Sequence, residues 1–468
     1  MASLEAALDK LREERNALNI EIRRHQLRNM PLEVLSLIFT FTLRPYHAVP
    51  EPAPWSISAV CTRWRNTVIS QPCFWTSFDI QFPHKGITTF RLETQLARSG
   101  TQPLKIQLLC EDNKYSARER SIIKILAQYS FRWKTMSLSG PAALYSDLQG
   151  RLRHLPLLRK LGVEMVHEST EAPTLAIFYN APLLQQVSAT RSQLRYPFWG
   201  GISPLSMVLP WSQLLRYRGS NTWARHLYSL SNAANLVDCS LEVADTSAIP
   251  QTPIFLPRIR RLSVSNSRFL MSLEVPALLE LYCNATPALT SFLRRQQCQL
   301  KILVLWQAPF SSTPIETTVL SSILDAVPTV KKLGLLLRIS ADFARDFSSR
   351  LNMAPALEHL SAVFEEVRMG EANDLSNYFM QAIESRRKVG RLSSLNLAGH
   401  DFPPSKSESE ERMKTLLVHG LEFEHFSSVE TLSRALIPSE LRLLSTSMVV
   451  NYLENIFLLS VGALGSNF

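Results

Sequence analysis

One phrase returns along most of this 468-residue chain, and it restricts the folds open to it. It reads L-x-x-L-x-L and recurs every 19 to 35 residues from about residue 130 onward. "RWKTMSL" supplies Trp133, Met136 and Leu138, "PLLRKLGV" supplies Leu158, Leu161 and Val163, and "PLLQQVSA" supplies Leu184, Val187 and Ala189. Later copies are "WSQLLRYRG", "NLVDCSL", "PRIRRLSV", "PALLELYC", "QLKILVL", "PTVKKLGL", "PALEHLSA" and "RLSSLNL". The last two apolar positions are two residues apart, so both side chains point to one face of a short strand and the residue between them to the other. A single strand of this kind cannot bury its apolar face, whereas a row of them can. Between the phrases, "TWARHLYSLSNAA", "IETTVLSSILDAV" and "ANDLSNYFMQAIESRR" carry helical spacing, the last with Leu375, Phe379 and Ile383 at i, i+4 and i+8. Strand, crossover helix and parallel strand predict an α/β architecture.

The period is that of a leucine-rich repeat, which predicts a solenoid over residues 131–440 with parallel strands on the concave face and helices on the convex face. The repeats lack the asparagine of the strictest consensus and vary in length. The residues flanking each inward pair form an outward row: Lys160, Gln186, Arg216, Arg218 and Asp238, continued by Arg261, Glu280, Trp306, Lys332 and His359. Of these, Arg216, Arg218, Lys160, Arg261, Trp306, Lys332 and His359 are candidates for holding a protein target. No acidic residue occurs between Glu171 and Asp238, and Arg216 and Arg218 lie in that stretch near Tyr196, Trp199, Trp211 and Trp223. Arginine and aromatic side chains anchor many interfaces, and a guanidinium holds carboxylate or phosphate bidentately. An acidic or phosphorylated target follows. Surface arginines and core tryptophans without any ligand would read the same way.

The formal net charge of +10 raises nucleic acid as a partner. The doublets Arg23-Arg24, Arg260-Arg261, Arg294-Arg295 and Lys331-Lys332 are short, however, and read as solvated faces, so nucleic acid is not expected. Binding that rests on charge alone would weaken steeply with salt. No run of eighteen uncharged apolar residues is present, which argues against a membrane span. The six cysteines are scattered without Cys-x-x-Cys or zinc-ligand spacing and read as reduced thiols, placing the protein in the cytoplasm or nucleus with no metal or cofactor. The chain has only 15 glycines and no phosphate-binding loop, G-x-S-x-G or H-E-x-x-H motif, so no enzymatic activity is expected.

Ahead of the repeats the chain changes character. Residues 1–28 predict a helix with Leu4, Leu8, Leu11, Leu18 and Ile22 in an a/d-like stripe, which either docks on its own chain or forms a short coiled coil. "PLEVLSLIF" begins at Pro31, which suits a helix's first turn, and is apolar around most of its circumference. A proline-rich loop, "RPYHAVPEPAP", separates it from a second helix expected from Trp55 to Ile69. "QPCFWTSFDI" then ends in the strand-like alternation of Phe74, Phe78 and Ile80. So few elements hold a small core, and the apolar residues left over need the rest of the chain or a partner.

"MPLEVLSLIF", the proline-rich spacer and "VCTRWRNTVISQPCFWTSFDI" together resemble an F-box of the fungal type over residues 29–82. The repeats are similar to the degenerate leucine-rich repeats such proteins carry. Met30 stands where leucine is commoner before the proline. The resemblance implies a small all-α F-box domain ahead of the solenoid, a linking segment over 83–130, and a tail or cap over 441–468. It also implies an adaptor of a cullin-based ubiquitin ligase, in which the F-box grips a Skp-type linker protein and the repeats hold the target. By position, Met30, Pro31, Leu32, Leu35, Ile38, Phe39, Val60, Trp64 and Trp75 would make that contact or support it; several could equally be internal core. The alternative is a non-enzymatic repeat scaffold outside ubiquitination, whose front unit packs on its own solenoid. The two differ in one observable: the adaptor leaves an apolar patch open at residues 30–39, and the scaffold buries it.

Overall fold

A computed structural model of the chain describes residues 10–18, 30–42, 53–82, 88–110, 115–165, 174–191, 207–243, 252–296, 298–307, 315–363, 372–389, 391–398, 408–426, 428–439 and 441. Among these residues a single fourteen-stranded sheet dominates, and every strand in it runs parallel to its neighbours. Its first half is β1 (Ser77–Phe82), β2 (Leu104–Cys110), β3 (Trp133–Gly140), β4 (Lys160–Met165), β5 (Gln186–Arg191), β6 (Arg216–Asn221) and β7 (Asp238–Val243). The short β8 (Ile254–Phe255) and β10 (Leu273–Glu274) pair with each other apart from the sheet. The sheet continues with β9 (Arg261–Val264), β11 (Glu280–Asn284), β12 (Ile302–Trp306), β13 (Lys332–Leu336), β14 (His359–Val363), β15 (Ser394–Ala398) and β16 (Glu422–Phe426). Each strand lies beside the one before it in sequence, so the fold grows in one direction only.

Every quoted repeat phrase becomes a strand, and its inward residues enter one continuous core, save that Ala189 of β5 is only half-buried and Gly219 of β6 brings no side chain. Leu161 and Val163 of β4, Leu262 and Val264 of β9, and Leu333 and Leu335 of β13 are all buried there. Helices cover this face: α5 (Thr89–Arg98), α6 (Ala117–Gln128) and α7 (Ala142–Arg151), then α8 (Trp223–Ser231), α9 (Pro287–Gln296), α10 (Thr317–Asp325), α11 (Ala341–Ser349), α12 (Ala372–Lys388) and α13 (Glu408–Val418). Leu375, Phe379 and Ile383 of α12 point into the core, as their spacing requires. The sheet begins earlier than the repeat phrases: β2, with α5 and α6, occupies the region expected to be a link, and β1 takes the end of the 29–82 segment expected to be all-α. It also ends later, since β16 adds a strand after the final phrase.

Two departures from the phrase have local causes. At "YRG" the inward pair is Tyr217 and Gly219, and a β-carbon on Gly219 would come within 2.0 Å of the Tyr217 hydroxyl. The tyrosine ring fills the volume of both positions, so glycine is the residue that fits. Arginines, meanwhile, tie successive layers together through backbone carbonyls. Arg132 donates to the carbonyls of Ser99 and Gln102 beyond α5, and buried Arg386 donates to those of Phe347, Arg350 and Met353 beyond α11. These carbonyls lie in the last turn of α11 or at and just past the ends of α5 and α11, where intrahelical donors run out. With no acid beside it, burial pushes the Arg386 guanidinium down to about 10. Replacing Arg386 with leucine should therefore lower stability by about 1–3 kcal/mol in urea unfolding, because the orphaned carbonyls stay buried.

The front unit is small and all-helical. It comprises α2 (Leu32–Thr42), α3 (Ala53–Val60), α4 (Thr62–Ile69) and a single 3-10 turn, Pro72–Trp75. The second helix expected from Trp55 to Ile69 is thus two helices, broken where Cys61 is fully extended; Arg65 Nε donates to the Ser58 carbonyl that the break leaves open. Residues 10–18 form a helix, α1, with Leu11 and Leu18 exposed. The rest of the amphipathic helix expected over 1–28, the proline-rich loop from 43 to 52, and the tail from 442 onward lie outside the described residues.

Candidate functional site

Two surfaces stand out, one at each end of the argument from sequence. The first is the outer side of α2. Leu35 and Phe39 turn inward and join Ile57, Val68, Phe74 and Trp75 in a core separate from that of the sheet. Phe39 meets Trp64 edge-on at 4.9 Å and Phe74 at 6.2 Å, and the Trp75 indole donates to the Val68 carbonyl at 2.8 Å. Gln71 ties α2 down by donating to Ser36 Oγ at 2.6 Å, and Arg63 reaches the Met30 carbonyl. A helix apolar on all sides is then buried on one. On the other side Val34, Leu37, Ile38 and Phe41, at i, i+3, i+4 and i+7, are exposed, Leu37 and Phe41 to 58% each; Leu32 at the helix's start and Val60 at the end of α3 are 50% and 60% exposed.

The front unit meets the sheet through a different face. Trp55 and Trp75 cross edge-on at 5.1 Å, and the Arg98 guanidinium of α5 lies over both rings, 5.1 Å from one centroid and 4.5 Å from the other. Gln95 of α5 accepts from the Trp55 indole at 3.2 Å and donates to the Ser77 carbonyl at 2.8 Å. This docking leaves the outer side of α2 untouched. Of the nominated residues, Ile38 lies on the open side of α2, Pro31 and Leu32 are exposed at its start, and Val60 is exposed at the end of α3; Met30 and Trp64 are half-buried. Leu35, Phe39 and Trp75 are internal and can only support the open patch. Val34, Leu37 and Phe41 belong to the patch although they were not nominated; the helical spacing of the opening stretch already grouped them with Ile38.

The second surface is the sheet face away from the helices. Backbone pairing sets Lys160, Gln186, Arg216, Asp238, Arg261, Glu280, Ile302, Lys332 and His359 side by side in a single ladder. The outward row is therefore contiguous, save that Ile302 holds the place expected of Trp306, which is the last residue of β12. Arg218 sits one rung further on, between Ser188 and Ser240. Asp238 is buried and accepts from both neighbours: Arg216 at 2.9 Å, and Arg261 through Nε at 2.6 Å and its terminal nitrogen at 2.5 Å. Arg216 is thus already engaged by a carboxylate. Changing Asp238 to asparagine should cost about 1–3 kcal/mol in urea unfolding, because two partly buried guanidiniums lose their counter-charge.

Small residues on the rung of Arg218, namely Ser137, Gly162 and Ser188, leave a recess of about 260 Å³ that ends at Leu441. Beyond Leu441 this face is covered. Helix α14 (Val429–Leu436) and the residues after it fold back over β11–β15, packing Val429, Leu432, Ile437 and Leu441 against Tyr282, Val304, Trp306, Leu336, Val363 and Ala398. The Ser240 hydroxyl of β7 donates to the Leu441 carbonyl at 3.2 Å. Gly334 permits the approach: a β-carbon there would stand 3.1 Å from Leu436 Cδ1. Trp306, nominated as an outward anchor, does face this side but is fully buried under the returning segment. The aromatic cluster near Arg216 also resolves into packing. Trp223 is buried against Phe269 at 4.9 Å, and Trp211 meets Tyr217 at 5.0 Å. Tyr196 and Trp199 lie outside the described residues.

Among the described residues no group of histidine, cysteine and carboxylate side chains could hold a metal ion, and no helix is long and apolar enough to cross a membrane. Cys110, Cys239 and Cys283 are buried free thiols and Cys61 and Cys73 exposed ones; burial pushes the Cys239 and Cys283 thiols up, away from reactive thiolate. No family model matches the chain. A search of curated proteins finds no match either.

Proposed function

We propose that this chain is the target-recruiting adaptor of a cullin-based ubiquitin ligase, with a fungal-type F-box at its front and degenerate leucine-rich repeats behind. In this reading Pro31, Leu32, Ile38 and Val60, joined by Val34, Leu37 and Phe41, dock a Skp-type linker protein that connects to a cullin. The strand–helix stack then presents the target. The observation that carries it is the open apolar patch of α2, left uncovered although the front unit is docked to the sheet. Exposed contiguous apolar surface on a folded unit marks an interaction site. The repeat-scaffold alternative asked for that patch to be buried on the chain's own solenoid, and the Trp55–Arg98–Trp75 junction uses another face.

The fold supports the division of labour. Fourteen parallel strands make a long platform, and the front unit sits at its first strand. The test is capture of the full-length chain by purified Skp-type linker protein. Stoichiometric binding supports the adaptor. Failure of the folded, full-length chain to bind removes it and leaves a scaffold.

A further inference from the structure

A row of basic residues lines the edge of the sheet where the strands begin. The backbone ladder extends one residue before each strand. Arg159 N–H donates to the Lys134 carbonyl at 2.9 Å, Leu279 N–H to that of Arg260 at 2.9 Å, and Lys331 N–H to that of Lys301 at 2.9 Å. This pre-strand row contains Lys134, Arg159, Arg260, Lys301 and Lys331, with Glu358 as its acid from β3 to β14. The adjoining first-residue row adds Lys160, Arg216, Arg261 and Lys332, opposed by Asp238 and Glu280. Three sequence doublets, Arg159-Arg260-Lys331 in one row and Lys160-Arg261-Lys332 in the next, occupy equivalent places in their repeats.

The acids on this rim are all engaged. Asp238 is held by Arg216 and Arg261, Glu358 pairs with Lys331 at 2.5 Å, and Glu280 accepts from the Tyr282 hydroxyl at 2.8 Å. Lys134, Arg159, Lys160, Arg260 and Lys301 have no acidic partner among the described residues, and all five are exposed; exposed Lys332 stands near Glu358, which Lys331 already holds. Strands are spaced about 4.8 Å apart, so the rim from β3 to β13 runs about 38 Å. That is the length of about 12 residues of extended polypeptide.

We infer that this rim binds an extended acidic segment of another protein. An acidic polypeptide is favoured over a nucleic acid because the side chains between the cations are Gln185, Leu215, Val237 and Leu279, amide or aliphatic rather than aromatic. Bases need aromatic faces to stack on, and none stands in the pre-strand row. Apolar residues between basic ones suit a peptide whose carboxylates alternate with apolar side chains. The inference deepens the adaptor reading by naming the target's chemistry and its place, yet requires nothing of the front unit.

The probe is a fluorescein-labelled 16-residue peptide of alternating glutamate and leucine or serine, titrated with the full-length chain at low and physiological salt. No linker protein is present, so this result and the linker test fail independently. Charge reversal on the rim (Arg159→Glu, Arg260→Glu and Lys301→Glu together) should weaken peptide binding about tenfold or more. An equal reversal on the helical layer (Lys124→Glu, Arg294→Glu and Lys388→Glu) should change it less than threefold, and both variants should keep the wild-type melting profile. Three results overturn the inference: no peptide binding at low salt, equal losses in the two variants, or tighter binding of a 16-nucleotide thymidine DNA at matched salt. Should the rim variant misfold, the same comparison is made with the three residues changed to glutamine.

Discussion

Full-length chain carrying Leu32→Asp and Ile38→Asp should lose affinity for a Skp-type linker protein by at least about a hundredfold, which is about 2.7 kcal/mol. Each of these side chains contributes about 1.5–3 kcal/mol when it passes from water into an apolar interface. A carboxylate in its place adds a desolvation penalty. Because both side chains are exposed, the unbound protein should be almost indifferent, its stability changing by no more than about 0.5 kcal/mol. Calorimetric titration against the linker, paired with a melting curve, measures both. The informative control is Leu35→Ala, one turn away but buried. It should destabilise the front unit by about 2–5 kcal/mol and reduce binding only through unfolding. If the aspartate pair bound the linker as the unmodified chain does, the outer side of α2 would not be the docking surface.

Changing Trp306 to alanine should be the most damaging single substitution on the sheet's open face, at about 3–5 kcal/mol. Its ring fills the space between the sheet and the returning segment, where Val429, Leu432 and Ile437 also pack. The loss should be local. Amide hydrogen exchange over residues 429–441 should accelerate to near the rate of an unfolded peptide, while exchange in β3–β7 stays slow. Trp306→Phe keeps part of the ring and should give an intermediate result. Gly334→Leu should produce the same release from beneath, by driving a side chain into the space that Leu436 fills. Unchanged exchange in both Trp306→Ala and Gly334→Leu would mean that α14 is held by something other than this apolar seat.

The sheet was readable from the sequence because its signal is repeated and local. Each phrase carries its own alternation, and the next phrase has the same offset, so even the register of Lys160 against Gln186 and Arg216 follows. What escaped was either unrepeated or long-range. In β16, "EFEHF" carries Phe423 and Phe426 three residues apart where the phrase would place leucines two apart. Strands β1 and β2 do alternate, but neither carries the repeat phrase, so β1 reads as the end of the front unit and β2 as part of a link. The burial of Trp306 depends on residues more than 120 positions later in the chain, and no periodicity links them. In the candidate site, spacing identified the apolar circumference of α2, but which side faces out depends on where α4 and the 3-10 turn settle. Likewise the basic doublets look like ordinary solvated pairs until the pairing of strands lines them up.

A stack in which each layer touches only the next behaves as a row of dominoes, and its free end should fray without the middle noticing. The return of residues 429–441 from β16 to β7 alters that behaviour, because it ties the last layer to one seven strands back in the sheet. Loss of β16 or β15 then frees α14, which uncovers Trp306, Val304 and Tyr282 in strands that are otherwise intact. The second half of the sheet is thereby made to melt as a block. The first half, β1 to β6, keeps the nearest-neighbour independence of a plain array. Under force or denaturant the chain should yield in two steps of different sharpness, and the blunter step should belong to the half that carries the front unit.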